Sequence, residues 1–316
     1  MLRLEPFELA MPATLGEALA LLASRERSML IAGGTDLVPK LKRMQFSPEL
    51  VVSLERVAVL RESWLDNGTL VIGGHVPLRE IERSALLDDL PALRGAIQSV
   101  ATPILRNRAT LAGNLLQDTR CHYVDRSKGW REGVNDCLKL GTDGCRVAPG
   151  ADRCYAALCS DVAPMLAVLD AEVVLVASDA AAGRRLPVEQ LYRDDGIHNL
   201  RLEGEVLTEV RIPRRAEHAV YKKLRMRGSF DFPELGVALR AVDHGSELEL
   251  KVAVSAVAPH LHVLHSRIEP GASEEWIRAF CATVKPMDTG FFPPYYRKQV
   301  LKNFLKQALH ELVPHR

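Results

Sequence analysis

Short apolar segments separated by polar turns predict a chain built from both helices and strands. Near the N-terminus an extended segment at 4–11 leads into a helix, in which Ala18, Leu21 and Leu22 recur at helical spacing. Thr14 and Glu17 form a capping box in front of that helix. Further helices are expected at 37–43, 77–84, 91–100 and 162–169, and strands at 29–32, 50–53, 70–73, 172–177 and 206–213.

The pattern changes from about Ala216 onward, where longer alternating segments follow one another. Residues 220–224, 235–242 and 248–257 alternate as do strands of an antiparallel sheet. Two amphipathic segments, at 276–284 and 296–312, are expected to be helices that pack on this sheet. The sequence therefore predicts a separate C-terminal domain that contains both helices and an antiparallel sheet.

The composition narrows the class of protein without identifying it. The 316 residues carry a formal net charge of +1, with 47% hydrophobic and 26% charged side chains, which suits two or three globular domains. No basic run with interleaved aromatic residues indicates nucleic-acid binding, and no apolar run approaches the roughly 20 residues of a membrane span. The N-terminus lacks the residue order of a signal peptide, so a cytoplasmic protein is expected.

The segment Gly33-Gly34-Thr35-Asp36 stands between a predicted strand and the start of a predicted helix. Two glycines allow positive φ and the close approach of an anion, on which the N–H groups of the turn would converge. A pyrophosphate fits this description, although a tight turn without a ligand would also explain these four residues. The segment is neither G-x-G-x-x-G nor a P-loop, so a Rossmann dinucleotide site is not indicated.

A second turn of small residues, Ala112-Gly113-Asn114, follows a break in the pattern at Thr102-Pro103. It lies between apolar residues and is expected to offer exposed N–H groups, as the first turn does. Two such loops in one domain make phosphate binding a stronger hypothesis than either loop alone.

Four of the six cysteines lie in one polar segment with the spacing C-x15-C-x7-C-x8-C: Cys121, Cys137, Cys145 and Cys154. In a reducing compartment, clustered cysteines are metal ligands or redox groups more often than disulfides. Because the segment has little apolar content, it would need a metal to become ordered. Structural zinc usually brings close cysteine pairs, but the spacing alone leaves an iron–sulfur cluster, zinc and other roles open. Cys159 is a fifth candidate, with a packing or near-cluster role.

Several motifs in a fixed order resemble those of a known family. Residues 32–37 read AGGTDL, 109–115 read ATLAGNL, 160–164 read SDVAP and 285–288 read KPMD. Together they look like the FAD-binding medium subunit of the molybdenum hydroxylases, the xanthine dehydrogenase and carbon monoxide dehydrogenase family. The resemblance implies an α+β fold with a two-part FAD-binding domain of the PCMH or vanillyl-alcohol-oxidase type at 1–58 and 59–215. An antiparallel-sheet α+β domain would follow at 216–316.

The same resemblance implies which residues contact FAD. Asp161 would face the flavin, although capping of the following helix is an equal alternative. Leu207 and Ile212 are candidates for contact with the isoalloxazine ring, and Lys223 for contact with the flavin or a phosphate. No residue is predicted to be a catalytic acid or base. The predicted cofactor-binding set is Leu30, Ile31, Ala32, Gly33, Gly34, Thr35, Asp36, Leu37, Thr102, Thr110, Ala112, Gly113, Asn114, Asp161, Leu207 and Lys223.

The cysteine segment, at 118–156, is an insertion into this family pattern and resembles one in the beta subunit of 4-hydroxybenzoyl-CoA reductase. That resemblance implies that its four cysteines hold a [4Fe-4S] cluster. It further implies that electrons pass from a donor such as ferredoxin through the cluster and FAD. They would continue to the [2Fe-2S] clusters of a small subunit and the molybdopterin cofactor of a large one, in a dimer of heterotrimers.

Two other functions remain open from the sequence. The flavoprotein could serve a hydroxylase or dehydrogenase that oxidises another aromatic substrate and delivers electrons outward. Alternatively, the chain could be a metal-stabilised scaffold subunit with a degenerate flavin site. The first of these requires bound FAD, and the second does not.

Overall fold

The computed structural model describes residues 3–178, 183–200, 204–214, 218–228, 230–269 and 271–313. Three sheets organise these residues, and each takes its strands from a different stretch of the chain. The predicted boundary between positions 215 and 216 lies outside the described residues. Elements are numbered below in chain order.

A three-stranded parallel sheet occupies the N-terminal stretch. Its strands are β1 (Glu8–Ala10), β2 (Ser28–Ile31) and β3 (Leu50–Ser53), in the order β1-β3-β2, with helices α1 (Leu15–Ala23) and α2 (Leu37–Lys42) between them. The predicted capping box begins α1, because the Thr14 hydroxyl accepts from the Glu17 N–H while the Glu17 carboxylate accepts from the Thr14 N–H.

The second sheet has five antiparallel strands. They are β4 (Ser63–Asp66), β5 (Thr69–Gly73), β6 (Glu172–Val176), β7 (Arg184–Pro187) and β8 (Val206–Pro213), in the order β4-β5-β8-β6-β7. Between β5 and β6 lie α3 (Leu78–Arg83), α4 (Pro91–Gln98), α5 (Pro103–Arg106), α6 (Leu111–Leu115), α7 (Lys128–Gly133) and α8 (Val162–Val168). The second glycine turn and the whole cysteine insert therefore belong to this one long connection.

The third sheet is a four-stranded antiparallel meander. It contains β9 (Ala219–Leu224), β10 (Leu235–Asp243), β11 (Leu248–Ser255) and β12 (His262–Ile268), and it is followed by α9 (Ser273–Thr283) and α10 (Pro294–Leu312). Both helices pack on this sheet in one apolar core. In the ranges that the structure describes, no helix combines the length and apolar character needed to cross a membrane.

Helix α8 joins the second and third sheets. All seven of its residues are buried, because the segment is apolar on every face and therefore has to be enclosed on all sides. Its core includes Leu70 and Val210 of the second sheet together with Ala238 and Ala253 of the third. Residues immediately before α8 consequently lie where the two sheets meet.

The structure confirms the predicted helices and strands with end shifts of no more than three residues, and it adds elements that the pattern does not indicate. Strand β12 is half-exposed and rich in polar residues, so it lacks the apolar alternation that marks a strand. Helix α7, inside the cysteine insert, begins with the Ser127 hydroxyl accepting from the Trp130 N–H. Such short elements depend on their neighbours more than on their own periodicity.

Replacing Leu166 in α8 by alanine tests the importance of this helix. Leu166 is fully buried, and a leucine-to-alanine change in a core lowers the free energy of unfolding by about 2–5 kcal/mol. We therefore expect a clearly lower midpoint in chemical denaturation. The matched control is Leu65→Ala in β4, whose side chain is 48% exposed and whose truncation should cost no more than about 0.5 kcal/mol. Equal losses in the two variants would contradict the packing of α8.

Candidate functional site

One large cavity, of about 990 Å³, is lined by residues from all three stretches of the chain. Its size lies at the upper end of the range typical of cofactor sites. The structure brings most of the predicted FAD contacts to this cavity. These are Leu30, Ile31, Ala32, Gly33, Gly34, Thr35, Asp36, Leu37, Thr110, Ala112, Gly113, Asn114, Asp161 and Leu207.

The first glycine turn presents unpaired backbone donors to the cavity. Strand β2 ends at Ile31, Gly34 adopts a φ of 72°, and α2 begins at Leu37. Within the described part of the chain, the N–H groups of residues 33–36 have no protein acceptor. Free N–H groups that converge beside a helix start bind phosphate oxygens. The turn, called the cradle below, therefore offers the cavity the unbonded donors that an anion would need.

Gly33 is pressed against the segment that leads to the second turn. A Cβ atom at position 33 would lie 1.7 Å from the carbonyl oxygen of Arg108. Only glycine allows the two backbones to approach this closely. The contact holds the two turns on one wall of the cavity, although 75 or more residues separate them in the sequence.

The second turn does not offer free donors, so that part of the sequence-based prediction is wrong. The N–H of Ala112 donates to the Gly74 carbonyl at 2.9 Å, and the N–H of Asn114 to the Thr110 carbonyl at 2.9 Å. The N–H of Gly113 donates to the Thr110 hydroxyl at 3.1 Å, because Thr110 caps α6. The turn thus contributes a rigid wall of small residues to the cavity.

Asp161 is a buried carboxylate on the cavity wall, and capping of α8 is not its role. The Ser160 hydroxyl accepts the Ala163 N–H at 3.0 Å instead. The two oxygens of Asp161 accept from the Tyr221 hydroxyl at 2.7 Å and from Lys223 Nζ at 2.9 Å. Burial raises the pKa of the Asp161 carboxyl, against the opposing charge of Lys223.

Three predicted flavin contacts do not line the cavity. The Thr102 hydroxyl caps α5 by accepting the Leu105 N–H at 3.3 Å. Lys223 lies behind the cavity wall, where it donates to the Asp161 carboxylate and to the Asp231 carbonyl, both from residues that line the cavity. Ile212 is buried in the apolar core, five residues along β8 from Leu207. Five residues of strand span about 16 Å, so Ile212 and Leu207 cannot contact the same ring.

A buried ion network beside the first turn was not evident from the sequence. The Asp36 carboxylate accepts from the Asp118 N–H at 3.2 Å and from the Arg120 guanidinium at 2.5 Å. Lys40, only 1% exposed, pairs with the Asp118 carboxylate at 2.8 Å. These four residues all line the cavity. The sequence signal for such a network is Lys40, which falls on the apolar side of a short helix. A lysine buried there requires a charged or polar partner.

The four cysteines of the insert face one small pocket. Cys121, Cys137, Cys145 and Cys154 line it together, and each is buried. Cys121 also lines the large cavity, so the two spaces share a wall. Cys159 lies apart from this pocket, on the wall of the large cavity. The structure thus brings together the four residues predicted as metal ligands and leaves the fifth outside.

A backbone N–H reaches one of the cysteine sulfurs: that of Ala156 donates to Cys154 Sγ at 3.4 Å. Burial raises the pKa of the Cys121 thiol to about 12 and also raises that of Cys137 and Cys154, because a buried thiolate is poorly solvated.

Single zinc coordination is not supported at this pocket. In the described ranges, no three or more His, Cys, Asp or Glu side chains approach closely enough to hold one metal ion. Tetrahedral zinc with Zn–S bonds of about 2.3 Å needs sulfur atoms about 3.8 Å apart. The four thiols consequently share a pocket without forming a site of that size.

The insert is fixed to the end of helix α2. Arg131, which is 3% exposed, donates to the carbonyl oxygens of Arg43 at 3.0 Å and Met44 at 3.1 Å. The Gln45 amide donates to the Val124 carbonyl at 2.6 Å. Because Asp118 and Arg120 also bond Asp36 at the first glycine turn, the insert is attached to both ends of this short helix.

A PCMH-like flavin-binding fold precedes an antiparallel sheet covered by two helices, and the family match makes the chain an oxidoreductase flavoprotein. The family described as "FAD binding domain in molybdopterin dehydrogenase" matches residues 5–215, and the chain belongs to that family. It binds FAD and is a flavoprotein of the molybdenum hydroxylase type. This establishes the fold class and the FAD cofactor predicted from the sequence.

Relatives of this chain carry the same fold. It is 28% identical to the aldehyde oxidoreductase FAD-binding subunit PaoB of Escherichia coli K12, over 88% of this chain and 90% of that protein. It is 26% identical to the carbon monoxide dehydrogenase medium chain of Hydrogenophaga pseudoflava, over 80% and 75%. The solved structure of carbon monoxide dehydrogenase from that organism matches 98% of this chain and 97% of its own, with a TM-score of 0.75 and 23% identity. Quinoline 2-oxidoreductase from Pseudomonas putida 86 also gives a TM-score of 0.75, at 20% identity and 98% coverage of both chains.

Replacing Gly33 by alanine tests the contact between the two turns. The added methyl group would collide with the Arg108 carbonyl, so the cradle must move and FAD retention should fall at least tenfold. Flavin absorbance per chain and an FAD titration measure this loss. The matched control is Gly95→Ala inside α4, where a Cβ meets nothing within 4 Å and alanine favours the helix by up to about 1 kcal/mol. Normal FAD affinity in the Gly33 variant would contradict the geometry of the cradle.

Proposed function

We propose that this chain is the electron-transfer subunit of a molybdenum-dependent reductase similar to 4-hydroxybenzoyl-CoA reductase. FAD would occupy the large cavity and a [4Fe-4S] cluster the cysteine pocket. One observation carries the proposal: four buried thiols of the insert line a single pocket, and Cys121 belongs both to it and to the flavin cavity. FAD exchanges electrons singly or in pairs, so it can connect one-electron centres with two-electron chemistry.

The residues of the large cavity fit FAD in this arrangement. The free N–H groups of residues 33–36 would hold the pyrophosphate. Leu207 and the buried Asp161 would lie toward the flavin, with Lys223 acting through its ion pair with Asp161. The second turn would support the cofactor by shape, since its N–H groups are already bonded to protein.

What supports a cluster here is the set of four cysteines, which suits an iron–sulfur centre in number and in ligand softness. A four-iron cluster separates its thiolates more widely than zinc does, because each cysteine binds a different iron. The Ala156 N–H at Cys154 would stabilise that thiolate and the reduced cluster. Four buried cysteines in one pocket supply the number of ligands that such a cluster requires.

The proposed reaction takes place on a partner subunit. Two electrons and two protons convert 4-hydroxybenzoyl-CoA to benzoyl-CoA and water, as the ring C–O bond breaks and a C–H bond forms. This chain would receive the electrons from a ferredoxin-like donor and pass them to the [2Fe-2S] clusters of a small subunit and the molybdopterin cofactor of a large one. The assembly is proposed to be a dimer of heterotrimers. Within this chain, segments 1–58 and 59–215 would bind FAD, and 216–316 would form the third domain.

A second candidate function sends electrons in the opposite direction. The relatives include subunits named for aldehyde oxidoreductase, xanthine dehydrogenase and carbon monoxide dehydrogenase, and these names favour an oxidative complex. In that case the same FAD would accept electrons from the molybdenum subunit. The cysteine insert would then carry them outward to an acceptor.

The direction is tested with the complete complex purified from its host without oxygen. Under the reductive proposal, reduced ferredoxin is oxidised only after 4-hydroxybenzoyl-CoA is added, and benzoyl-CoA forms in a ratio of about one per two electrons. Dye reduction driven by an aromatic aldehyde or heterocycle, with no turnover of the thioester, would favour the oxidative candidate.

Replacing Cys137 by serine tests the cluster itself. Loss of one ligand should remove about four irons per chain while FAD stays bound, because Cys137 lines only the cysteine pocket. Iron analysis and the visible spectrum measure the result. Cys281→Ser is the matched control, since Cys281 is half-buried in α9 and outside the pocket. Unchanged iron in the Cys137 variant would refute the ligand assignment.

A further inference from the structure

An ion triad of two buried lysine side chains and the partly exposed Asp118 lies in the wall between the flavin cavity and the cysteine pocket. Lys40 and Asp118 line the cavity, whereas Lys139 lines the pocket. The Asp118 carboxylate accepts from Lys40 Nζ at 2.8 Å on one oxygen and from Lys139 Nζ at 2.5 Å on the other. The two lysine side chains are only 1% and 6% exposed. Water therefore screens these charges weakly, and they act on both spaces.

The ammonium group of Lys139 is fixed in place. Besides Asp118, it donates to the Thr119 hydroxyl and to the Gly196 carbonyl, the latter at 2.8 Å. Gly196 is itself packed on Cys154: its N–H donates to the Cys154 carbonyl at 2.8 Å, and a Cβ there would lie 2.8 Å from the Cys154 sulfur. The cation cannot swing toward solvent without losing three acceptors.

Lys139 also borders the cysteine pocket. It lines the pocket together with Cys137 and Cys154, and its ammonium group donates to the carbonyl oxygen of Gly196, which packs on the Cys154 sulfur. Of the three charged groups in the triad, Lys139 is the one that lines the pocket. Asp118 lies behind it, and its carboxylate is held ionised because the charges of Lys139 and Lys40 outweigh the effect of burial and lower its pKa.

From this geometry, and on the basis of the proposed function, we propose that Lys139 tunes the reduction potential of the cluster. Each reduction adds a negative charge to the pocket, and a fixed cation at its edge stabilises that charge and raises the potential. Asp118 positions the cation and partly offsets it. Lys139 is thus a positioning and tuning residue that makes the cluster easier for an external donor to reduce.

The triad has a second consequence for electron transfer. Lys40 and Asp118 border the flavin cavity as well, so one carboxylate is electrostatically linked to both centres. Removing the charge of Lys139 changes the electrostatic potential at the cluster directly. It changes the potential at the flavin indirectly, through Asp118. The driving force from cluster to flavin should therefore change when Lys139 is neutralised.

The test compares the full-length chain and its Lys139→Met variant, each with FAD and cluster, in a redox titration followed by EPR of the reduced cluster. The midpoint potential of the variant should be more negative, since the cation is lost and Asp118 remains. Lys139→Arg keeps the charge and should restore a potential near that of the parent. The matched control is Lys128→Met, which removes a lysine of the same insert that is 53% exposed and should leave the potential unchanged.

An unaltered or more positive potential in Lys139→Met, with the iron content intact, would overturn the inference. If that variant loses its cluster, Asp118→Asn decides the matter, because removal of the negative charge should shift the potential upward. No upward shift in Asp118→Asn would then overturn it as well. A parent chain without iron would overturn the proposed function and this inference together. A cluster that is present, and whose midpoint potential is the same in both variants as in the parent, would refute the role of Lys139 alone.

Discussion

The structure depends on the way in which two lysines and one carboxylate are buried between the FAD-binding turn and the cysteine insert. A buried ammonium group is costly unless it is paired and hydrogen-bonded. Lys40, in α2, and Lys139, two residues after Cys137, both meet this requirement through Asp118. The carboxylate therefore fixes the register of the insert against the cavity, and neither side can shift without leaving a buried charge unpaired.

The two glycine turns differ in function although they look alike as sequences. The first keeps its N–H groups free for an anion, while the second uses its own to bond Gly74 and Thr110. The close approach of Gly33 to Arg108 makes the two turns one surface. A cofactor bound there would accept hydrogen bonds from the first turn and make van der Waals contact with the small residues of the second.

The insert is polar, yet it is ordered by contacts with the rest of the chain. Arg131 binds the carbonyl groups at the end of α2, and Gln45 binds Val124. A small apolar core of the insert contains Cys121, Cys137 and Cys154 together with Val124 and Ala156. This core is too small to fold independently. Its shape is therefore set by docking on α2 and by whatever the four thiols bind.

The sequence by itself determined the elements with strong periodicity, the capping box at Thr14, the first turn at Gly33 and the grouping of four cysteines. These are local features, encoded in spacing and residue type. Only the tertiary structure decided that Ser160 and not Asp161 caps α8, that the N–H groups of the second turn are already bonded, and that Lys40 and Lys139 share Asp118. Each of these depends on which distant group satisfies a buried donor or acceptor, and that pairing is set by packing across the fold and not by position along the chain.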